Sequence, residues 1–528
     1  MNRLSILLIA LIAPLALTAQ SLEEAKVKGL DVITENVLRS QVRFLASDWT
    51  EGRETGERGE YMAADYIASM LDLFGVEPGG DYVTTRAGRE RTYFQTFQLL
   101  KTSMGDDQRL YLHSKSGPVT KTTGFTYGVD YTFRNTTADL DLTAPVVFVG
   151  YGIRSDEHRY NDFRGKDVEG KIILRVSGVP QSIRDQATGN QVSVILRQRD
   201  AVAREMGAVG VIEVNPNNTV LTAGVEPRDF LDMKPAQRRP SSRRPFGLSR
   251  PQTRLANPLP SITASMRLAN EIVRNAGFTI EEYLSNPDGL ATRQFPEVSG
   301  QSIRLVSSVN TSLINTRNVI GVIEGKNPDE VIVVGAHYDH LGMHDGYIWN
   351  GADDNASGTV GAMTLAKAFM ATGVQPEKTI VIALWTAEER GLLGSRYWVE
   401  NPTVPIENVM MNINFDMIAR YVADDRPNAV VMTYTESHEL FRDITLRNMA
   451  RHNIEIEPEY VASMNPPGGS DHRSFVAVGI PIMRFKAGHR EEYHTPFDET
   501  HTLDWDIMEK VVKISFANIW DLANMEWR

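Results

Sequence analysis

Two imidazoles and three carboxylates stand out as groups able to bind a metal: His337, Asp354, Glu389, Asp416 and His494. His337 follows the apolar run Val331-Ile-Val-Val, Glu389 follows Ile380-Val-Ile-Ala-Leu-Trp, and Asp416 follows Val409-Met-Met-Asn-Ile-Asn-Phe. These runs read as buried strands, and an open α/β sheet binds its ligands beyond the carboxyl ends of its strands. Nitrogen and oxygen donors of this kind suit zinc. Their number also suits two metals that share one bridging carboxylate and keep positions open, which is the layout of two-metal hydrolysis. Taken singly, each has an ordinary structural reading. A histidine at a strand end is usually a core residue, and Glu388-Glu389 suits a helix start. The constellation carries the signal.

The local sequences are more specific than the residue types. They read His337-Tyr-Asp339, Gly351-Ala-Asp-Asp354-Asn355-Ala-Ser-Gly358, Glu388-Glu389-Arg-Gly-Leu, Asn414-Phe-Asp416-Met and Tyr493-His494-Thr-Pro-Phe-Asp498. In this order they resemble the dizinc peptidase family of aminopeptidase Y, glutamate carboxypeptidase and the transferrin receptor. The resemblance implies two zinc ions. Asp354 would bridge them, Glu389 and His494 would complete one site, and His337 and Asp416 the other. It implies Glu388 as general base towards a hydroxide nucleophile shared by the metals, Asp339 as the residue orienting His337, and a cis peptide bond at Asp354-Asn355. Tyr493 is a candidate oxyanion donor. Gly469-Ser-Asp471-His472 resembles a family segment lining the substrate pocket, which makes Asp471 and His472 candidate substrate-binding residues. Some aminopeptidases of the family carry Arg before that Ser-Asp-His, where this chain has Gly469, so Arg473, Arg484 or Arg420 is a candidate replacement. His340, His344 and His489 read as loop or rim residues.

Positioning these groups requires strands alternating with helices. The order is a strand to His337, a helix from Ser357, a strand to Trp385, a helix near Gly391 to Glu400 and a strand to Asp416. Ala429-Val-Val-Met-Thr and Pro481-Ile-Met-Arg-Phe add strands, and Asp506 to Trp527 has helical spacing. Upstream, Val37 to Leu45 and Tyr61 to Leu71 read as helices flanking a loop at Glu51-Gly-Arg53-Glu-Thr-Gly56. Arg53 reads as a solvated loop arginine or one reaching the site's rim. Between them the pattern changes to short strands such as Gly170-Lys-Ile-Ile-Leu-Arg-Val, with one clear helix from Arg197 to Met206. Gly150-Tyr-Gly152 and Tyr160-Asn-Asp-Phe there resemble the protease-associated domain that many family members carry. The expected fold is therefore a three-layer α/β sandwich with a mixed, mostly parallel sheet, interrupted by a smaller β-rich domain. The expected division is 1–19 signal peptide, 20–115 and 297–528 catalytic domain, and 116–296 insertion. An Arg/Pro-rich stretch, 232–257, reads as a solvated loop.

Composition sets outer bounds. At 528 residues the chain exceeds one ordinary core. A net charge of −12 argues against nucleic acid as principal partner. Leu4 to Leu17 is apolar after Arg3 and ends in Thr18-Ala19, which reads as a secretory signal cut after Ala19. With no cysteine in the chain, neither a lipoprotein anchor nor disulfides are possible. The expectation is an exported zinc exopeptidase, periplasmic or secreted, that acts on peptides and has no stable membrane insertion after signal cleavage. Aminopeptidase activity is preferred. The alternatives are a carboxypeptidase for acidic C-terminal residues, a glutaminyl-cyclase-like transferase and an inactive receptor-like relative.

Overall fold

A computed structural model describes residues 21–86, 88–134, 138–216, 247–249, 259–285, 300–344, 346–486, 488 and 490–527. The expected signal peptide, His489 and nearly all of 232–257 lie outside them. The chain forms two compact units, one holding the described residues up to Leu99 and from Ile314, the other those from Leu100 to Leu313. Both boundaries fall inside 23-residue strands, Phe94–Ser116 and Gln301–Ile323. A composition reading places joints in turns, so it sets them at 115/116 and 296/297 instead.

The unit that carries the candidate site is built from helices α1 (Glu35–Leu45), α2 (Arg58–Phe74), α3 (Gly358–Ala371), α4 (Leu393–Glu400), α5 (Leu440–His452), α6 (His472–Val476) and α7 (Trp505–Asn524). Its strands are β1 (Gln301–Ile323, of which the part from Ile314 belongs to this unit), β2 (Asn327–His337), β3 (Lys378–Trp385), β4 (Val409–Phe415), β5 (Ala429–Thr435), β6 (Glu457–Ser463) and β7 (Ile482–Lys486). The sheet order is β6-β5-β7-β4-β2-β3-β1. Pairs β6/β5, β7/β4, β4/β2 and β2/β3 are parallel, while β5/β7 and β3/β1 are antiparallel.

Alternation along these strands makes the three layers, because successive side chains point to opposite faces. Ile332, Val334 and Ala336 of β2 join Ile380, Ile382 and Leu384 of β3 in one core, with Leu38, Ile67, Val360 and Ile514 from α1, α2, α3 and α7. Val331, Val333, Val381 and Ala383 point the other way, to Trp398 of α4 and Phe475 of α6. Strands buried on both faces read as unbroken apolar runs, which is why the central ones are so visible in the sequence. Register puts His337 opposite Trp385 and Ala336 opposite Phe415, so the chain leaves three adjacent strands at one sheet edge.

The second unit has a parallel run of Leu140–Phe148, Ile172–Val176, Gly210–Val214 and Ser261–Ala264, closed by antiparallel Tyr131–Phe133. Its helix Gly189–Glu205 starts earlier than apolar spacing marks. Thr188 and Gln191 form a capping box that adds turns before Arg197.

Candidate active site

His337 is the last residue of β2, Asp416 the first after β4, and Glu388-Glu389 stand three and four positions after β3. Asp354 and His494 arrive on loops. The two oxygens of Asp354 face different partners. Oδ1 lies 3.4 Å from His337 Nε2, which is also 3.9 Å from Asp416 Oδ1. Oδ2 lies 3.0 Å from His494 Nε2, itself 3.3 Å from Glu389 Oε2. Ligand atoms about 2.0–2.2 Å from zinc at tetrahedral corners are roughly 3.4 Å apart. The donors therefore have the spacing of two metal sites that share Asp354.

Charge supports the same fit. Burial opposes a charged His337, yet Glu388, Asp354 and Asp416 hold its pKa well above the ordinary value. His494 behaves alike: burial works against the charge, but Glu389 and Asp354 push it up to about 10. Burial would raise the Asp354 carboxyl, but His337 and His494 hold it well below the usual range. Carboxylates that keep protons on two buried imidazoles make a cluster that dications would satisfy. Nδ1 of His337 is 3.2 Å from the Asp339 main-chain carbonyl. A carbonyl only accepts, so Nδ1 carries a hydrogen, and Nε2 is the nitrogen that faces Asp354 and Asp416, where a metal would displace its proton.

The Asp339 carboxylate does something other than orient that ring. It is 3.8 Å from His337 Nδ1 but accepts the Glu388 N–H at 3.0 Å and the Thr55 hydroxyl at 3.1 Å. The carbonyl beside it orients His337, while the side chain anchors the loop bearing Glu388. Glu388 Oε2 reaches to 4.0 Å from His337 Nε2. Burial pushes its carboxyl well up, His337 opposes this, and Asp471, Glu389 and Asp416 add to it. Tyr493 stacks on His494 with ring centroids 3.8 Å apart, and burial raises its phenol, so the hydroxyl stays a donor.

Asp471 and His472 are completely buried. His472 Nε2 donates to Pro467 O at 3.1 Å and Nδ1 accepts from Arg484 at 3.3 Å, so the ring supports Arg484. Of the three candidate arginines, Arg420 bonds Thr502 and Arg473 bonds Asn465 and Pro466. Arg484 is buried, and Asp416 and Glu388 act on its charge.

Several supports have no signature in residue type. Asp498 accepts the N–H groups of Asp353 and Asp354, each at 2.9 Å. Asn355 donates to Phe415 O at 2.9 Å and accepts from Met417 N, joining the Asp354 loop to the Asp416 loop. The Asp354-Asn355 peptide is cis. Arg53 is buried, not solvated: it donates to the carbonyls of Leu45, Tyr338, Asn350 and Gly351, either side of the ligand loops. His340, expected at the rim, is also buried, with Nδ1 2.8 Å from Glu389 Oε1. Ala387, Met417 and His494 all have left-handed backbones (φ 55°, 60° and 57°), the kind of local cost that collects at functional sites.

A mixed, mostly parallel sheet with two donor groups sharing one carboxylate at its edge is the architecture of a metallohydrolase of the α/β type. Residues 318–519, which hold all five segments, match Peptidase family M28. The chain is 28% identical over 206 residues to a probable leucine aminopeptidase 2 of Aspergillus oryzae, covering 38% of this chain and 39% of that one. It is 29% identical over 235 residues to a glutamate carboxypeptidase 2 homolog of Caenorhabditis elegans, covering 39% and 29%. These matches span less than half of either relative. An aminopeptidase from Aneurinibacillus sp. strain AM-1 shares the fold, with a TM-score of 0.58 at 19% identity over 94% of this chain and 96% of that one.

Proposed function

We propose that the protein is an exported dizinc aminopeptidase that removes N-terminal residues from peptides. The observation that carries this reading is Asp354, whose two oxygens face two separate donor groups beside Glu388. Bound zinc supplies carbonyl polarisation and a low-pKa water. Glu388 takes the proton of the attacking water and returns it to the departing amine. The Tyr493 hydroxyl donates to the oxygen that gains charge. The Leu100 to Leu313 unit is assigned as a protease-associated-like module that does no chemistry. Among the described residues, no helix is long and apolar enough to cross a membrane.

The test is hydrolysis of aminoacyl chromogenic amides with free or acetylated N-termini, before and after metal stripping and zinc return. Cleavage of free-amine substrates alone, lost on stripping and restored by zinc, is the expected result. No cleavage by protein carrying two zincs would end this reading. One observation favours a second: the buried Arg484 beside Asp416 and Glu388 supplies a cation for an acidic C-terminal residue, so such peptides belong in the same panel.

A further inference from the structure

His340 lies outside the ligand set that the five segments imply, yet the site is built around it. Its ring is completely shielded from solvent. The main-chain N–H donates to Arg53 O at 3.1 Å, which fixes the start of the side chain. Across the ring stands Gly351, at φ +55°, where a Cβ would come 2.4 Å from His340 Cδ2. Glycine there both allows the left-handed backbone and leaves room for the imidazole. The ring thus has little freedom to turn.

What it holds is one oxygen of Glu389. His340 Nδ1 is 2.8 Å from Oε1, a hydrogen-bond distance, and 3.9 Å from Asp354 Oδ2. The other oxygen, Oε2, faces His494 at 3.3 Å, the spacing of two atoms that share a metal. The two histidines divide the carboxylate. His494 stands at ligand spacing from Oε2, while His340 stands at hydrogen-bond distance from Oε1. An ionised carboxylate only accepts, so Nδ1 of His340 carries the hydrogen.

We infer that His340 is a positioning residue that limits Glu389 to binding metal through Oε2 alone. Left free, a carboxylate can turn and chelate with both oxygens, closing a corner that a catalytic metal must keep open. The hydrogen bond prevents that turn and keeps Glu389 aimed at the metal shared with His494. This rests on the reading of Glu389 as a metal ligand.

The experiment measures zinc affinity of the metal-free full chain by competition with a chromophoric chelator. It compares wild type, His340→Phe and His340→Asn, with metal-free melting curves for each. Two zincs bound by wild type is the condition for the ligand reading, and fewer would overturn that reading before His340 is tested. His340→Phe should weaken one zinc by about 10–100-fold and leave the other alone, the usual cost of losing a ligand's hydrogen-bonded support. His340→Asn keeps an N–H donor and should recover that affinity to within about threefold of wild type. If His340→Phe does not fold, His340→Ala takes its place with the same expected loss. Wild-type affinity for both zincs in the Phe or Ala variant would overturn the inference. So would equal weakening by Asn and Phe, which would make the imidazole a ligand in its own right.

Discussion

The two donor groups that share Asp354 are built differently. His337 and Asp416 are fixed by the sheet, since one ends β2 and the other follows β4, and both strands are buried on both faces. Glu389 and His494 stand on loops, and His494 itself has a left-handed backbone. Their positions depend on polar side chains: Asp339 on the Glu388 and Glu389 N–H groups, His340 on Glu389, and Arg390 on Glu54. A sheet-borne pocket gets its geometry from strand register and hydrophobic burial. A loop-borne pocket needs a dedicated hydrogen bond for nearly every degree of freedom.

Glu388 belongs to neither donor group, so removing it should spare both. Glu388→Gln is expected to lower turnover by about 10²–10⁴-fold, the range for a lost general base, while two zincs per chain persist by atomic absorption. Loss of metal from this variant would mean that Glu388 is a ligand, and would blur the division drawn above.

The division is sharpened by stripping one donor at a time. His494→Ala should remove one zinc and leave the His337–Asp416 pocket loaded; Asp416→Asn should do the reverse. In wild type under a graded chelator, the Glu389–His494 zinc should leave first. Both imidazoles are protonated in the metal-free protein, with His494 up to about 10, so zinc must displace protons. Affinity should therefore rise as pH increases from about 6 towards 10, with proton release visible by calorimetry in buffers of different ionisation heat. Simultaneous loss of both metals, or loss of the sheet-borne one first, would break the comparison.

The same contrast explains what the sequence makes legible. His337, Glu389 and Asp416 each follow a strand marked by an unbroken apolar run, so residue type and position suffice. Strand β6 is not so marked: Glu457, Pro458 and Glu459 lie at a partly exposed sheet edge, where no apolar alternation is required. In β1 the middle of the strand is polar and exposed, so only its ends look like strand. His340 and Arg53 are the instructive cases. A histidine near a ligand and an arginine in a glycine-rich loop look surface-bound, because nothing local reveals the carbonyls and carboxylate they meet from distant segments. Asp471 and His472, in the segment that resembles a pocket lining, are buried as deeply as His337 and Asp354, and Asp471 acts on the charge of Glu388.

Arg53 tests how much of the loop-borne architecture is stability and how much is alignment. Its guanidinium satisfies four buried carbonyls, so Arg53→Met leaves them without that donor and removes a buried charge. Leu45 O keeps the Thr50 hydroxyl and Gly351 O keeps the Ala356 N–H, so the carbonyls of Tyr338 and Asn350 are the ones orphaned. At about 1–3 kcal/mol for each, the metal-free protein should lose about 2–6 kcal/mol in urea unfolding. A loss near zero would mean that the loops flanking His337 and Asp354 hold their shape without it.

Glu60 of α2 gives the smaller effect, with opposite sign at neutral pH. Its buried carboxyl accepts from Gly56 N, Thr316 and Thr386, tying α2 to β1 and to the turn that leads into Glu388. Burial pushes its pKa up to about 7, and those hydrogen bonds only partly offset this. A carboxyl raised on folding binds more protons in the native than in the unfolded state, so stability falls as pH climbs from about 4.5 to 7 and is flat above. Glu60→Gln keeps the shape and removes the titration. At pH 8 it should be more stable than wild type by up to about 3 kcal/mol, the value of the shift itself, less whatever the amide loses by presenting N–H groups to a backbone donor. Below pH 4 the two should converge. Melting curves of the metal-free proteins across that window decide the matter. The slope should shrink in Glu60→Gln, and an unchanged slope would assign the titration to the other carboxyls that burial raises, Asp339 at about 8, Asp353 at about 7 and Asp471 and Asp162 at about 6.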